Sequence, residues 1–160
     1  MIKELITTHG YEKIVKEFKN LLEKEKPFWV KEKEIAAQHG DRSENAEYIS
    51  AKEQIRNIDK RLRYLDKIIN NSEVIDINKI PHEKVNFGSK VTLLNLENEE
   101  EIFYIIVGTH ETNPNENLIS NKSPLGRTLL GKKLSEEFEF IINNNIMEFE
   151  VLKIEVSNLK

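Results

Sequence analysis

Two long segments whose apolar residues recur at helical spacing flank the stretch Gln38-His-Gly-Asp-Arg-Ser-Glu-Asn-Ala-Glu-Tyr48. Gly40 can end the first helix, because glycine readily adopts the left-handed backbone conformation that often follows a helix C-terminus. Asp41 and Glu44 can begin the second helix as a capping box, in which each side chain accepts a hydrogen bond from a free backbone N–H. The stretch therefore predicts a sharp loop between two antiparallel helices, with two carboxylates at its tip.

Apolar residues on both sides of this loop alternate at spacings of three and four, which is typical of a helix packed along one partner. The first helix is predicted to begin at Thr7-Thr8, and the second to end at Asn70-Asn71-Ser72. Helices of this length predict a coiled-coil hairpin about 40–45 Å long. The expected seam residues are Tyr11, Ile14, Phe18, Leu21, Phe28 and Ile35, with a second row at Val15, Leu22, Trp29 and Ala36; in the second helix they are Tyr48, Ala51, Ile55, Ile58, Leu62, Leu65 and Ile69.

The first helix contains two features that disturb this pattern. Pro27 removes one backbone hydrogen bond and clashes with the preceding turn, so we expect a bend near Glu23. Glu25 and Glu32 fall on the first apolar row. We therefore expect the hairpin to be packed less tightly along this portion.

The composition changes after residue 77. Residues 78–83 contain Pro81 and are predicted to form a linker. Residues 84–160 hold short apolar or alternating runs separated by turn residues, which is typical of antiparallel strands. Ser123 can cap a short helix that begins at Pro124 and ends before Gly131. The predicted strands are Lys84–Gly88, Val91–Leu96, Glu101–Val107, Leu118–Ser120, Glu137–Ile142 and Ile146–Glu155.

These patterns together predict an α+β protein with two domains. A long antiparallel coiled-coil hairpin is expected over residues 1–77, with its tip near 39–45. The linker 78–83 follows, and residues 84–160 are expected to form a small antiparallel sheet with one short helix. Each domain has an apolar pattern of its own, so we expect the two to fold independently.

The composition excludes several classes of protein. The chain has no cysteine, so it has no disulfide framework and no thiolate chemistry. The longest apolar run, Ile102–Val107, is far shorter than a membrane span. The first residues lack the layout of a signal peptide, and a cytoplasmic protein that is a monomer when free is expected. The formal net charge is −4, so contact with nucleic acid requires local charge patterning.

Asp41 and Glu44 allow two interpretations. Their spacing is that of a capping box, and this structural role is the more common one. Two carboxylates at a tip could also bind Mg²⁺ weakly, since this ion keeps several waters and completes its shell with phosphate oxygens of a substrate. Such a pair would act when it is presented to a partner that already holds a metal ion.

One face of the second helix carries basic residues at spacings of four, four, three and four. The face can be an ordinary solvated surface with pairs of opposite charge one turn apart. It can also follow the phosphates of a nucleic-acid strand without reading its sequence. We call these residues the basic stripe: Lys52, Arg56, Lys60, Arg63 and Lys67.

Two motifs resemble a known family. His39-Gly-Asp-Arg-Ser-Glu-Asn-Ala-Glu-Tyr48 looks like the tip motif of the bacterial transcript cleavage factors GreA and GreB. Asn117-Leu-Ile-Ser-Asn-Lys-Ser-Pro-Leu-Gly-Arg-Thr-Leu-Leu-Gly-Lys132 resembles the second signature of that family. Val74-Ile-Asp76 and Val85-Asn-Phe-Gly88 fit as well, and the resemblance covers nearly the whole chain. Asp41-Arg-Ser-Glu44 is closer to GreB, and other parts are closer to GreA, so the subtype stays open.

The resemblance implies a fold and an activity. Members of this family pair an N-terminal coiled coil with an FKBP-like C-terminal domain, and they bind RNA polymerase at its secondary channel. The tip acids then help the polymerase to hold its second catalytic Mg²⁺, so that it hydrolyses the 3′ end of backtracked RNA. Carried over, Asp41 and Glu44 are these acids. The resemblance implies an accessory factor that is not itself an enzyme, with RNA polymerase and the nascent RNA 3′ end as partners.

The resemblance and the basic stripe also assign expected contacts. The family's second signature places expected contacts with the polymerase at Ser123, Pro124 and Lys132, and the spacing of the basic stripe places expected RNA contacts at Lys52, Arg56, Lys60 and Arg63. Two alternatives remain. A protein of this shape could occupy the channel as an inhibitor without stimulating cleavage, and an FKBP-like domain could be a prolyl isomerase.

Overall fold

The computed structural model describes residues 3–40 and 44–159. They form an α+β protein, as predicted, with a long helical hairpin and a mostly antiparallel sheet. The described chain divides into two compact units. Tyr11–Asn71 form the helical unit, and the residues up to Gly10 together with those from Ser72 onward form the sheet unit.

The helical unit is built from three helices and one irregular segment. α1 spans Thr8–Asn20, a π-helical segment spans Leu21–Glu25, and α2 spans Lys26–Ala37. α3 spans Ala46–Asn71 and is antiparallel to the first two. The predicted start of the first hairpin helix and the predicted end of the second hairpin helix are therefore confirmed to within one residue.

A π-helical segment, Leu21–Glu25, lies where a bend near Glu23 was expected. Pro27 has no backbone N–H, so the usual bond to the carbonyl of Glu23 cannot form. The N–H of Lys26 instead bonds the carbonyl of Leu21, five residues earlier. Asn20 and Lys26 flank the segment in right-handed helical conformation, so the helix continues through it. A π-helical turn holds one residue more than an α-helical turn, and this shifts the face that later residues present.

Because the helix face changes at the π-helical segment, the predicted seam is wrong after it. Leu21 is 9% exposed, but Phe28, seven residues later, is 54% exposed. Trp29, eight residues after Leu21, packs on the hairpin core instead, and Ala36 follows it at 3% exposure. The expected first row is therefore wrong beyond the π-helical segment, where the second row takes over.

The same change of face moves the two glutamates that were predicted to loosen the hairpin out of the seam. Glu25 and Glu32 are both exposed and do not lie in the seam. The seam of α3 is confirmed through Leu65, but its last buried residue is Ile68, and Ile69 is only half-buried. Leu21, Ile58, Leu62 and Leu65 form the buried core of the hairpin, with Ile14, Phe18 and Trp29 packed against it.

The sheet unit contains a five-stranded sheet in the order β5-β4-β3-β7-β6, in which only the β4–β5 pair is parallel. The predicted strands from Glu101, Leu118 and Glu137 have the predicted bounds, but Lys84–Gly88 is not a strand and contributes one bridge, from Lys84 to Lys133. Its backbone turns away because Gly88 has φ of 84°. The strands are β3 Ser89–Asn95, β4 Glu101–Val107, β5 Leu118–Ser120, β6 Glu137–Ile142 and β7 Asn145–Val156, and the short helix α4 spans Pro124–Leu129.

One face of this sheet holds the core of the unit. The core side chains lie on β3, β4 and β7, and α4 covers them with Leu129, which is fully buried. Strand β6 lies at an edge of the sheet and pairs with β7, so that Glu137 faces Glu150 and Glu139 faces Glu148. The buried members of the core are Val85, Val91, Leu93, Ile106, Leu129, Phe149 and Val151.

A second, two-stranded sheet lies in the same unit and was not predicted. β1, Glu4–Thr7, pairs in parallel with β2, Ser72–Ile75. Residues before the first helix therefore join residues after the last one. For this reason the division between the units falls at Gly10 and at Ser72, whereas the sequence placed a boundary after residue 77.

The predicted linker 78–83 is bonded within the sheet unit. The His82 ring bridges the Oγ of Ser89, at 2.6 Å, and the carbonyl of Ile77, at 2.7 Å. The carbonyl of Pro81 accepts a hydrogen bond from the side-chain amide of Asn86, at 3.1 Å. These contacts show that the segment is part of a folded unit and not a free connection.

The shifted seam predicts unequal effects of two neighbouring substitutions. Trp29→Ala should lower the free energy of unfolding by about 2 kcal/mol, because the ring is partly buried against the hairpin core. Phe28→Ala should change it by less than about 0.5 kcal/mol, since its ring is mostly exposed. Urea denaturation followed by circular dichroism at 222 nm measures both.

The two substitutions form a matched pair. Phe28 and Trp29 contact each other edge to face, with centroids 5.2 Å apart, so each variant loses this same contact. The difference between them reports the seam alone. Equal losses of stability would show that the face does not shift at the π-helical segment.

Candidate functional site

The chain enters the tip of the hairpin from the carboxyl end of α2. The N–H groups of Gln38 and His39 bond the carbonyls of Ile35 and Ala36, each at 3.1 Å, and these bonds close the last turn. Gly40 follows with φ of 139°, a conformation that other residues rarely adopt. The helix ends at Ala37 with Gln38 as its C-cap, so the predicted cap at Gly40 is wrong, and the chain leaves α2 at an exposed loop.

The start of α3 differs from the predicted capping box. The helix begins at Ala46, and the side-chain oxygen of Asn45 accepts a hydrogen bond from the N–H of Tyr48, at 3.1 Å. The cap is therefore Asn45, and Asp41, the predicted cap, lies outside the described residues. Asparagine is among the best N-cap residues, so the helix starts four residues later than the capping box requires.

Asn45 also joins the two sides of the hairpin. Its side-chain amide donates to the carbonyl of Ala36 at 2.6 Å, which satisfies one of the free carbonyls at the end of α2. Glu44 directly precedes this residue, lies in a turn and is exposed. Glu44 therefore lies on the loop side of the helix start, and the predicted hydrogen bond between Glu44 and Asp41 involves a residue outside the described ranges.

The basic stripe is solvent-exposed over its full length. Lys52, Arg56, Lys60, Arg63 and Lys67 are all exposed residues of α3. The structure brings three of them, Lys52, Arg56 and Arg63, around one open depression of about 270 Å³. The half-buried side chain of Ile55 lies among them. The described arrangement can accept an anion beside a small apolar surface.

A further cation, Lys33, reaches the same depression from α2. The sequence analysis missed it, because the seam of the first helix was assigned to the wrong row. With Trp29 and Ala36 in the seam, Lys33 lies one turn from each and so beside α3. A seam pattern that allowed for one extra residue before Pro27 would have found it.

Two ion pairs involve residues that line this depression. Arg56 pairs with Glu53 at 3.2 Å, and both side chains are more than half exposed. Asp59, which also lines the depression, pairs with Lys26 of α2 at 2.7 Å. An exposed pair such as Arg56–Glu53 contributes at most about 1 kcal/mol, so a bound phosphate can displace it at little cost.

Arg61 of α3 is not part of the basic stripe and forms an ion pair with α1. Its Nε and Nη2 donate to the two carboxylate oxygens of Glu17 on α1, at 2.6 and 2.9 Å. This hydrogen-bonded pair lowers the pKa of Glu17, and the positive charge of Arg61 adds to the effect. The guanidinium also lies 5.2 Å from the ring centroid of Tyr64. Arg61 therefore ties α1 to α3.

The predicted docking residues lie around α4. The Oγ of Ser123 accepts from the N–H of Gly126 at 3.0 Å and donates to the carbonyl of Ser120 at 2.7 Å, so the predicted cap is confirmed. Pro124 is exposed. The Nζ of Lys132 lies 5.6 Å from the Phe138 ring centroid. Docking itself stays a prediction, and of the three residues Pro124 presents the most open surface.

In residues 3–40 and 44–159 no group of three His, Asp or Glu side chains is placed to hold a metal ion. Asp41, one half of the predicted acid pair, is outside these ranges. No helix in the part of the chain that the structure describes is both long and apolar enough to cross a lipid bilayer.

Two family models match the chain. The model described as "Transcription elongation factor, GreA/GreB, C-term" matches residues 80–156, and "Transcription elongation factor, N-terminal" of GreA_GreB matches residues 4–74. Two solved structures are similar over 96% of this chain: GreA factor homolog 1 of Thermus thermophilus, with 99% of its chain covered, TM-score 0.44 and 22% identity, and GreA/GreB from Nitrosomonas europaea, with 98% covered, TM-score 0.43 and 17% identity.

Curated relatives are more similar in sequence, and they bear the name "Transcription elongation factor GreA". The protein of Nitratiruptor sp. is 48% identical over 99% of this chain and 96% of its own length. Those of Helicobacter hepaticus and Helicobacter pylori strain Shi470 are 44% and 46% identical, each over 96% of this chain and 94% of their own length.

The Glu17–Arg61 pair predicts a pH-dependent contribution to stability. Because the pKa of Glu17 is lowered in the folded protein, the pair stabilises the fold above the ordinary value of 4.5 and this contribution is lost as the pH falls below it. Glu17→Gln should therefore lower the urea midpoint at pH 7 by an amount worth at most about 1 kcal/mol, and should have little effect near pH 3.

Glu12→Gln on the same helix is the control, since Glu12 is exposed. Its urea midpoint should follow that of the unmodified protein at both pH values. An effect of Glu17→Gln that is equally large at pH 7 and pH 3 would mean that the pair does not stabilise the hairpin through the charge of Glu17.

Proposed function

This chain belongs to the GreA/GreB family of transcription elongation factors, and we propose that it binds RNA polymerase through the secondary channel and stimulates cleavage of the 3′ end of backtracked RNA. The polymerase supplies the nuclease centre, and this chain acts as an accessory factor. Its place of action is the cytoplasm of a bacterial cell, and a monomer is sufficient for it.

The observation that carries this proposal is the position of Glu44. It is exposed at the tip of the hairpin, immediately before the cap of α3, and the helix uses Asn45 for its own first turn. A carboxylate that a helix does not need for capping is available to a ligand. Asp41, three residues earlier on the same loop, is proposed as its partner.

The chemistry of the tip fits a divalent cation shared with the polymerase. Carboxylate oxygens are preferred ligands of Mg²⁺, and this ion keeps open positions for water and phosphate oxygens. When bound, a second Mg²⁺ stabilises the attacking and leaving oxygens of a phosphodiester hydrolysis. Glu44 and Asp41 would hold the ion on the side of the factor and would orient the water beside it.

The basic stripe is proposed to contact the extruded RNA. Lys52, Arg56 and Arg63, with Lys33 of the facing helix, surround one depression that accepts phosphate oxygens. Lys60 extends the same charged face. Contacts of this kind position a strand without reading its bases, which suits a factor that acts on many transcripts.

The sheet unit is proposed to dock on the polymerase. Pro124 and Lys132 are the predicted contacts on and after α4, and Ser123 holds the start of that helix in place. Docking through one unit raises the local concentration of the hairpin tip at the nuclease centre. This explains why weak ligands at the tip suffice.

The decisive experiment concerns the two tip carboxylates. Asp41→Ala and Glu44→Ala should each lower the rate of stimulated cleavage on a backtracked complex about a hundredfold, the scale expected for losing several kcal/mol of metal-held charge stabilisation. Both variants should still compete with the unmodified protein for the polymerase. Single-turnover cleavage of end-labelled RNA measures the rate.

Glu47→Ala is the matched control, because Glu47 is exposed in the first turn of α3. It should cleave at the unmodified rate. An unmodified protein that binds the polymerase and blocks its channel without cleavage would identify an inhibitor. Full activity of both tip variants would exclude the proposed role of the carboxylates.

The basic stripe gives a prediction that depends on RNA length. The triple variant Lys52→Ala, Arg56→Ala, Arg63→Ala should reduce cleavage of long backtracked RNAs more than cleavage of short ones, since only a long extruded end reaches the depression. The response to long RNAs should also fall less steeply with added salt than in the unmodified protein, because fewer counterions are released on binding.

A variant with Lys13, Lys16 and Lys19 changed to alanine is the control. These three lysines are exposed on α1 and carry the same total charge. It should leave the dependence on RNA length unchanged. If both triple variants lose the same activity on short and long RNAs, the effect comes from net charge and the stripe does not contact RNA.

A further inference from the structure

Glu111 lies in the sheet unit, in a single 3-10 turn that spans Thr109–Glu111. One carboxylate oxygen accepts two backbone hydrogen bonds, from the N–H of Thr7 at 3.0 Å and from the N–H of Gly108 at 2.8 Å. The other oxygen accepts a hydrogen bond from the Thr7 hydroxyl. The side chain thus joins this turn to the residue that precedes helix α1.

Thr7 is the residue that starts helix α1. Its Oγ1 accepts a hydrogen bond from the N–H of Gly10 at 3.0 Å, which is the geometry of a helix N-cap. Because the same hydroxyl donates to Glu111, both its hydrogen-bonding functions are used. Thr7 is 1% exposed, so neither function can be replaced by water without opening the packing.

Two glycines allow this close approach. A Cβ on Gly10 would lie 2.0 Å from the Glu111 Oε1, and a Cβ on Gly108 would lie 1.9 Å from the carbonyl oxygen of Leu5. Both distances are far below van der Waals contact. Gly10 therefore leaves room for the Glu111 side chain against the first turn of α1, and Gly108 lets the backbone of this turn pack directly against strand β1.

We propose that Glu111 is a positioning residue for transcript cleavage, acting through Thr7 on the first turn of α1. This rests on the proposed function. Helix α1 is unbroken from Thr8 to Asn20, and it continues through the π-helical segment into α2. Fixing its first turn restricts the motion of the helix that leads to the tip. We call the hydrogen bonds between Glu111 and Thr7 the clamp. The clamp raises the fraction of time in which Glu44 is placed for catalysis, and it does not change binding to the polymerase.

The physical basis is the strength of charge-assisted bonds at a buried site. A carboxylate that accepts several N–H and O–H donors forms shorter and stronger hydrogen bonds than a neutral acceptor does. If Glu111 is replaced, two backbone N–H groups and a buried hydroxyl lose their acceptor. The first turn of α1 is then held less tightly against the turn that carries Glu111, while each unit keeps its own core.

Two substitutions at Thr7 distinguish the effect of its hydrogen bonds from the effect of its packing. Thr7→Val keeps the shape of the side chain but removes the hydroxyl, whereas Thr7→Ser keeps the hydroxyl. Glu111→Gln keeps the length of the side chain but removes its charge and reverses the hydrogen bond with Thr7. Glu116→Gln, on the neighbouring exposed turn, is the matched control.

The first measurement needs no polymerase. The chain has no cysteine, so His39→Cys and Glu97→Cys place two spin labels, one near the tip and one on an exposed turn of the sheet unit. Pulsed electron paramagnetic resonance then gives the width of the distance distribution. Thr7→Val and Glu111→Gln should broaden it, while Thr7→Ser and Glu116→Gln should not.

The second measurement separates binding from catalysis in the unlabelled full-length protein. Thr7→Val and Glu111→Gln should lower the maximal rate of stimulated cleavage about tenfold, which is less than the roughly hundredfold loss that a misplacement of about 1 Å can cause. The concentration of factor that gives half the maximal rate should stay the same. Thr7→Ser should restore the maximal rate.

An unchanged distance distribution in Thr7→Val and Glu111→Gln would overturn the proposal, whatever the rates are. A broader distribution with an unchanged maximal rate, or a loss confined to the half-saturating concentration, would also overturn it. If the unmodified protein does not stimulate cleavage at all, the proposed function fails, and the distance distribution alone then shows whether the clamp exists. Should Thr7→Val fail to fold, Glu111→Gln gives the same test without removing a buried group.

Discussion

The pairing of β1 with β2 is the constraint on which the chain path depends. Glu4–Thr7 and Ser72–Ile75 are far apart in sequence, and their four-residue parallel register brings the two ends of the helical segment into the same unit. Closing so long a loop costs conformational entropy, but the cost rises only slowly with loop length. Burial of Ile6 and the bonds of Thr7 help to offset it. The chain segments that precede and follow the hairpin thereby lie in one folded unit.

Periodicity and turn chemistry predicted the features whose cause is local. The seam of α3, the bounds of three strands and the cap at Ser123 each follow from residues within one element. β1 and β2 could not be found in this way, because each has only four residues and its partner lies on the other side of the hairpin. The same holds for the bonds that tie His82 into the sheet unit.

Two errors in the helical half share one physical origin, which is that hydrogen bonds can be satisfied in more than one way. Pro27 predicts an irregular helix, but not that an added residue will turn Phe28 out and Trp29 in. Likewise, Asp41 and Asn45 are both good caps, and the choice of Asn45 depends on its second bond, to Ala36 across the hairpin. Local sequence offers both options, and contacts between the helices select one.

The residues to which we assign functions by proposal differ in the same way. The basic stripe is visible in sequence because it repeats along one helix, whereas Lys33 belongs to it only through the packing of two helices. Glu111 is harder still to find. Nothing in the sequence around it suggests a partner at Thr7, and its role appears only when the two backbones are seen to meet at glycines.

The edge of the five-stranded sheet has a consequence for how the protein behaves at high concentration. β6 has unpaired backbone groups along one side, and such an edge is a template for a strand from another molecule. Its outward glutamates, Glu137 and Glu139, already face Glu150 and Glu148 on β7. A second copy that added its own β6 would bring another row of negative charge against them. This repulsion, together with the shortness of β5 at the opposite edge, works against edge-to-edge polymerisation in a crowded cell.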